Sequence, residues 1–190
     1  MALGEFFDLS GRNAIVKGGG SGLGRHFAEG LAEAGANLVL CARHSARCEE
    51  AAPELRRAHG VTALGVQSDV REPDNIHSVV ELTKSELGSI DILVNNASTS
   101  WGAPVAEYPL EGWRKVIDVN LTGSFIFAQA VGREMIAQGR GGKIVNVASV
   151  AAFRPAPPEA MDAIAPTRPR EALSRSRVTP RRNGRGSISR

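Results

Sequence analysis

The chain has 190 residues, of which 42% are hydrophobic and 23% are charged. This composition is typical of one soluble α/β domain, and no apolar run is long enough to predict a membrane helix. The N-terminus carries no basic segment ahead of an apolar one, so we expect a cytoplasmic protein. Cys41 and Cys48 have no metal-binding spacing, and we predict free thiols and no metal site.

The net charge of +3 is unevenly distributed along the chain. Residues 166–190 hold eight arginines and one glutamate, so this segment carries +7 and residues 1–165 carry −4. We predict a domain at residues 1–153 and an irregular Pro/Arg-rich tail at 154–190 that is disordered by composition. Nucleic-acid association through the arginines is an alternative function, although the tail has no aromatic residues for base stacking.

Apolar segments of strand length alternate with helical patterns in the first 150 residues. We predict strands at 13–16, 37–41, 62–66, 91–94 and 144–147, and helices at 23–34, 45–59, 72–87 and 110–138. This alternation indicates a Rossmann-like, doubly wound parallel sheet with helices on both faces, a three-layer αβα fold. Ligands bind at the carboxyl edge of such sheets, so we expect the functional residues after the strands.

A glycine-rich turn with the spacing Gly18-x-x-x-Gly22-x-Gly24 follows the first strand. Glycine allows a pyrophosphate to approach backbone N–H groups closely, and the next helix offers its positive N-terminal end to phosphate. An ordinary strand-to-helix turn is the alternative for these glycines taken alone. The candidate cofactor-binding residues of this loop are Gly18, Gly20, Ser21, Gly22, Leu23 and Gly24.

Four further motifs follow the predicted strands and helices in order: Asp69-Val70, Asn95-Asn96-Ala97, Asn120 in Val-Ile-Asp-Val-Asn, and Ser149 in Asn-Val-Ala-Ser-Val. Together with the glycine loop they resemble the short-chain dehydrogenase/reductase family, classical type, over residues 8–153. The resemblance implies that Asp69 and Val70 lie against the adenine ring and that Asn96 and Ala97 lie beside the cofactor. It also implies that Asn120 and Ser149 are the family's catalytic asparagine and serine.

The family transfers a hydride between NAD(P) and an alcohol or ketone, here with sugar acids or polyols as candidate substrates. Its serine polarises the substrate oxygen, its tyrosine moves the proton, and a lysine four residues later lowers the tyrosine pKa. This sequence has no tyrosine after Tyr108 and no lysine after Lys143. We therefore expect a sheet that is incomplete at its C-terminal side and a chain without activity, or a cofactor-binding pseudoenzyme. Full-length relatives are expected to be homo-oligomers.

Two smaller departures from the family pattern are Lys17 in place of a threonine and Ser98 in place of a glycine. We expect the long side chain of Lys17 to disturb the loop.

At the tip of the second strand, Arg43 stands where an acid would bind both ribose hydroxyls of NAD. A guanidinium suits the 2′-phosphate, so we predict NADP(H) over NAD(H), with a solvated surface arginine as the alternative.

The tail can also be read in a second frame, in which the third base of each codon joins the first two bases of the next codon. Pro166 with Thr167 then permits tyrosine, and the following codons permit Gly-Ala-Leu-Ala-Leu-Thr-Arg-Asp, which resembles the family's catalytic helix. One mismatch remains, because Arg170 with Glu171 permits arginine but not the expected lysine. We predict a reading-frame product, and a natural basic tail that fits by codon degeneracy is the alternative. Sequencing the gene checks this, and a stop codon within the first few shifted triplets would contradict it.

Overall fold

The computed structural model describes residues 7–149, in which strands and helices alternate. The strands are β1 (Asn13–Lys17), β2 (Asn37–Ala42), β3 (Ala63–Gln67), β4 (Ile92–Asn95) and β5 (Lys143–Asn146). The α-helices are α1 (Gly22–Glu33), α2 (Ala46–His59), α3 (Pro73–Leu87), α4 (Leu110–Ile117) and α5 (Gly123–Ala137). Every predicted strand is present, with bounds within a residue or two of those expected.

The five strands form one parallel sheet in the order β3-β2-β1-β4-β5. Strand β1 is central, and the chain builds the sheet outward through β2 and β3 before it crosses back to β4 and β5. The strand order therefore reverses between β1 and β4, which is where sheets of this kind open a crevice for ligands. This arrangement confirms the predicted Rossmann-like α/β fold.

Side chains alternate between the two faces of the sheet and form one apolar core on each. Helices α1 and α2 cover the face that carries Val16 and Leu40, whereas α3 and α5 cover the face that carries Ile15 and Val39. Because both faces are covered, β1 is buried at every residue, including the polar ends Asn13 and Lys17. The end of β1 is thus held in a fixed position between two packed layers.

The helix predicted at residues 110–138 is interrupted in the structure. A π-helical turn, Asp118–Thr122, separates α4 from α5. Gly123 follows this turn and packs against the loop that precedes α3. A Cβ atom on Gly123 would lie 2.5 Å from the carbonyl oxygen of Val70 in that loop. The hydrophobic period continues through this segment, so the sequence pattern alone predicts one helix where contacts with a distant loop produce two.

Strand β5 lies at the edge of the described sheet, and Val145 on it is 48% exposed. The predicted domain end at residue 153 and the predicted disorder of the tail at 154–190 lie outside the described residues. Within the part of the chain that the structure describes, no helix is long and apolar enough to cross a membrane.

Candidate functional site

The glycine-rich loop is shaped by backbone contacts that only glycine permits. Gly18 and Gly22 have φ angles of 75° and 52°, in the left-handed region that favours glycine. A Cβ atom on Gly24 would lie 1.9 Å from the carbonyl oxygen of Gly18, so the first turn of α1 packs directly on the start of the loop. The Gly18 N–H also donates to the Cys41 carbonyl oxygen at 2.7 Å, which ties the loop to β2.

A cleft of about 830 Å³ opens at the carboxyl ends of β1, β2, β3 and β4. Nine of the predicted cofactor-binding and preference residues line it: Gly18, Gly20, Ser21, Leu23, Arg43, Asp69, Val70, Asn96 and Ala97. Gly22 and Gly24 do not line it and instead shape the loop. A cleft of this size, with the glycine loop in its wall and the N-terminus of α1 beside it, can hold a phosphate-bearing ligand as large as a dinucleotide.

Basic side chains gather where β2 ends. Arg43, His44 and Arg47 line the cleft and are exposed, and the first acidic residue after β2 is Glu49. The carbonyl oxygen of Arg43 accepts a hydrogen bond from Gln67 Nε2 at 3.2 Å, which links this tip to the end of β3. Sequence reasoning missed Arg47 and His44, since the turn into α2 brings them to the cleft.

Asp69 is held by its neighbour Arg71 at the end of β3. The guanidinium donates from Nε to Oδ1 of Asp69 at 3.0 Å, and from the terminal nitrogen to Oδ2. These hydrogen bonds hold the pKa of Asp69 below its ordinary value, with a smaller contribution from the charge of Arg43. The carboxylate is therefore ionised and oriented, while the buried Val70 lies beside it in the cleft wall.

Asn120 is 2% exposed within the π-helical turn. Its side chain pairs with the backbone of Thr99, accepting from the N–H at 2.8 Å and donating to the carbonyl oxygen at 2.9 Å. It therefore does not line the cleft, whereas its neighbours Thr99 and Val119 do. The side-chain amide fixes the loop after β4 against the turn before α5, a contact that spans 21 positions and that no local pattern reveals.

Ser149 follows the end of β5 and is partly buried. It does not line the cleft formed by the described residues. The preceding Val147 N–H donates to the Asn95 carbonyl oxygen at 3.1 Å, which keeps this segment aligned with β4. Ser149 thus follows β5, and Asn120 binds Thr99 in the loop that follows the neighbouring strand β4.

Lys17 does not enter the loop, contrary to the sequence expectation. Its side chain is fully buried on the α5 face of the sheet, where Nζ donates to Ser124 Oγ at 2.7 Å. Since Lys17 shares its face with Ile15, strand alternation predicts this direction.

Both cysteines are free and buried. Burial raises the pKa of Cys41 to about 12 and that of Cys48 to about 11. Neither thiol is therefore a nucleophile near neutral pH. Among residues 7–149, no group of three or more His, Cys, Asp or Glu side chains could hold a metal ion.

In comparisons with known proteins, the family model and the relatives in sequence point to the same family. The short chain dehydrogenase family model matches residues 12–161. A 2-dehydro-3-deoxy-D-gluconate 5-dehydrogenase of Pseudoalteromonas atlantica is 39% identical over 79% of this chain and 59% of its own length. The curated relatives compared are matched over only 56% to 59% of their lengths.

Solved structures give the same result. A short-chain type dehydrogenase/reductase from Mycobacterium marinum superposes with a TM-score of 0.85 and 35% identity, over 91% of this chain and 69% of the other. The NADPH-dependent 3-quinuclidinone reductase from Rhodotorula rubra has a TM-score of 0.84 and 30% identity, over 90% of this chain and 64% of the other.

Proposed function

The chain belongs to the short chain dehydrogenase family, and we propose that its cleft binds NADP(H) in preference to NAD(H) for hydride exchange with an alcohol or ketone. The observation that carries this proposal is the pairing of a glycine loop with basic side chains in one cleft. Gluconate-type dehydrogenases among the relatives make a sugar acid the first substrate class to test.

The residues present fit such a cofactor at its phosphates. Gly18, Gly20 and Ser21 line the cleft with little or no side chain, so a pyrophosphate can reach their backbone groups. The N-terminal end of α1, which begins at Gly22, adds a favourable field for negative charge. The chemistry that NADP(H) supplies when bound is the hydride itself.

The preference for NADP(H) is argued from charge at the tip of β2. Arg43 and Arg47 would both face a 2′-phosphate bound there, since both line the cleft and are exposed. A guanidinium forms charge-assisted hydrogen bonds with phosphate, whereas NAD-binding sites place an acid at this tip to accept from the ribose hydroxyls. The position that would carry that acid holds Arg43.

The Arg43→Asp variant tests this preference. We expect its dissociation constant for NADPH to rise about 100-fold, because the change removes a charge-assisted hydrogen bond and places a carboxylate against the 2′-phosphate. Affinity for NADH should be equal or higher, since a carboxylate can accept from the ribose hydroxyls. Cofactor fluorescence titration measures both constants.

Arg57→Asp is the matched control, because it makes the same charge change on an exposed residue of α2 outside the cleft. It should change NADPH affinity by less than threefold, because a charge at this distance from the cofactor is largely screened by salt. Equal losses of NADPH affinity in the two variants would contradict a specific role for Arg43.

A cofactor-binding pseudoenzyme is the second candidate function. It is favoured because the 190-residue sequence has no tyrosine after Tyr108, and Tyr108 itself donates its hydroxyl to the Trp101 carbonyl oxygen. In the active family pattern, Ser149 would polarise a substrate oxygen and Asn120 would support a proton relay, but the proton donor would be missing. NADPH binding without oxidation in the presence of 5-keto sugar acids favours this candidate, and robust turnover by the 190-residue chain contradicts it.

A further inference from the structure

Lys17 has a fully buried side chain that does not line the cleft. It is the last residue of β1, directly before the glycine loop, and it is the largest of the fully buried side chains in residues 7–149. Its Nζ donates to Ser124 Oγ at 2.7 Å and to the Val119 carbonyl oxygen at 3.4 Å. A buried ammonium is stable only when it finds acceptors such as these, so its position is strongly constrained.

Lys17 belongs to a polar row at the ends of three neighbouring strands. Lys17 pairs in register with Asn95 of β4, and Asn95 pairs with Asn146 of β5. Asn95 Nδ2 donates to Asn146 Oδ1 at 3.0 Å and to the Ser124 carbonyl oxygen at 3.4 Å. One step earlier along the same face the strands are apolar, with Ile15 beside Leu93. The row is therefore a local polar seam between the sheet and the start of α5.

The seam contacts the π-helical turn at the backbone of Val119 and the start of α5 at the side chain of Ser124. A π-helical turn departs from the regular i→i−4 pattern, so it depends on contacts from outside the helix to keep its geometry. Val119 lines the cleft, and Asn120 holds Thr99, which also lines it. A shift of the turn would therefore move two parts of the cleft wall together.

We propose that Lys17 is a positioning residue that fastens the Asp118–Thr122 turn to the end of β1. It holds Val119 and Asn120 at a fixed place relative to the glycine loop, which begins one residue later. Its effect on NADP(H) affinity rests on the proposed function, whereas its effect on the turn does not.

The test compares Lys17→Met and Ser124→Ala with the unaltered 190-residue chain by amide hydrogen exchange and mass spectrometry. We expect exchange in peptides covering residues 118–124 and in the peptide containing Thr99 to become at least about tenfold faster in both variants. Peptides from α1 and β2 should be unchanged. Methionine keeps the length of the side chain but has no donor, so Ser124 and Val119 lose the partner that they share. The unfolding midpoint is measured in parallel, because a general loss of stability would speed exchange throughout residues 7–149 and a local release would not.

Cofactor affinity provides the second readout. NADPH should bind about tenfold more weakly to each variant, and the double variant should be no weaker than Lys17→Met, because Lys17→Met already removes the contact with Ser124. Thr83→Val is the matched control, since it deletes another buried hydroxyl, one that donates to the Val79 carbonyl oxygen within α3. It should leave the turn's exchange unchanged.

Unchanged exchange at residues 118–124 in both variants would overturn the proposal, as would equal acceleration across all of residues 7–149. If Lys17→Met does not fold, Ser124→Ala decides alone, because it removes a single acceptor oxygen. The exchange measurement needs no cofactor. Failure of the unaltered chain to bind NADPH would therefore count against the proposed function only.

Discussion

Replacing Gly24 with alanine is expected to weaken NADPH binding by more than 100-fold. The new Cβ atom would lie 1.9 Å from the Gly18 carbonyl oxygen and 2.6 Å from Asn96 Nδ2. The first of these is a backbone atom, so no side-chain rotation relieves the clash, and the loop must separate from α1. Overpacking of this kind typically costs about 1–3 kcal/mol of stability, in addition to the loss of the loop geometry that we propose binds phosphate. Fluorescence titration with NADPH and thermal unfolding measure the two effects.

Gly30→Ala is the control on the same helix. A Cβ atom at Gly30 meets no heavy atom within 4 Å, and the residue is exposed. The change should raise stability by about 0.5–1 kcal/mol, because alanine favours the helix, and it should leave the NADPH dissociation constant within twofold. If Gly24→Ala also bound NADPH within twofold of the unaltered chain, the assignment of this loop as the phosphate site would be wrong.

The position of the cleft could be predicted because it depends on short-range patterns. An apolar strand that stops at glycines, followed by an amphipathic helix, places Gly18 to Gly24 at the carboxyl end of β1. The same reasoning places Asp69 and Asn96 after β3 and β4, and the structure brings these side chains to one cleft. Parallel pairing makes this possible, since it aligns every strand end at one edge of the sheet.

The shape of the segment around Asn120 could not be predicted, because it depends on contacts between distant parts of the chain. The π-helical turn is stabilised where Asn120 binds the backbone of Thr99 and where Gly123 packs on Val70. None of these partners is within helical reach, and the hydrophobic period of the segment continues unbroken. The Lys17 side chain also lies elsewhere than expected, because the alternation of side chains along β1 directs it to the α5 face and not into the loop.

A second large effect, on stability, is expected at the amino ends of the strands. Replacing Asp91 with alanine should lower the free energy of unfolding by about 3 kcal/mol. The Asp91 carboxylate is 6% exposed and accepts from the backbone N–H of Asn13 at 3.0 Å. It also pairs with Arg12 at 3.3 Å and with Arg140 at 3.1 Å. Removing it leaves a buried N–H and two guanidinium groups without their shared acceptor.

The Asp91→Asn variant removes the charge of the side chain and keeps its shape. The amide keeps an oxygen that can accept from the Asn13 N–H but loses the attraction to both arginines. Because those arginines are about half exposed, each exposed pair contributes roughly 1 kcal/mol or less. The loss in Asp91→Asn should therefore be smaller than in Asp91→Ala. Asp74→Asn, on the exposed first turn of α3, is the control and should cost less than about 1 kcal/mol. Urea unfolding at neutral pH orders the three variants.

The Asp91 variants also test whether cofactor binding and stability depend on opposite ends of the strands. Asp91 joins β1, β4 and the segment before β5 at the amino ends of the strands, whereas the cleft opens at their carboxyl ends. At a temperature where both proteins remain folded, Asp91→Ala should bind NADPH within threefold of the unaltered chain despite its lower stability. Gly24→Ala should lose NADPH affinity even at a temperature where it remains folded, because its clash lies within the glycine loop itself. A large loss of affinity in Asp91→Ala under folded conditions would mean that the amino edge controls the register of β1 and, through it, the glycine loop.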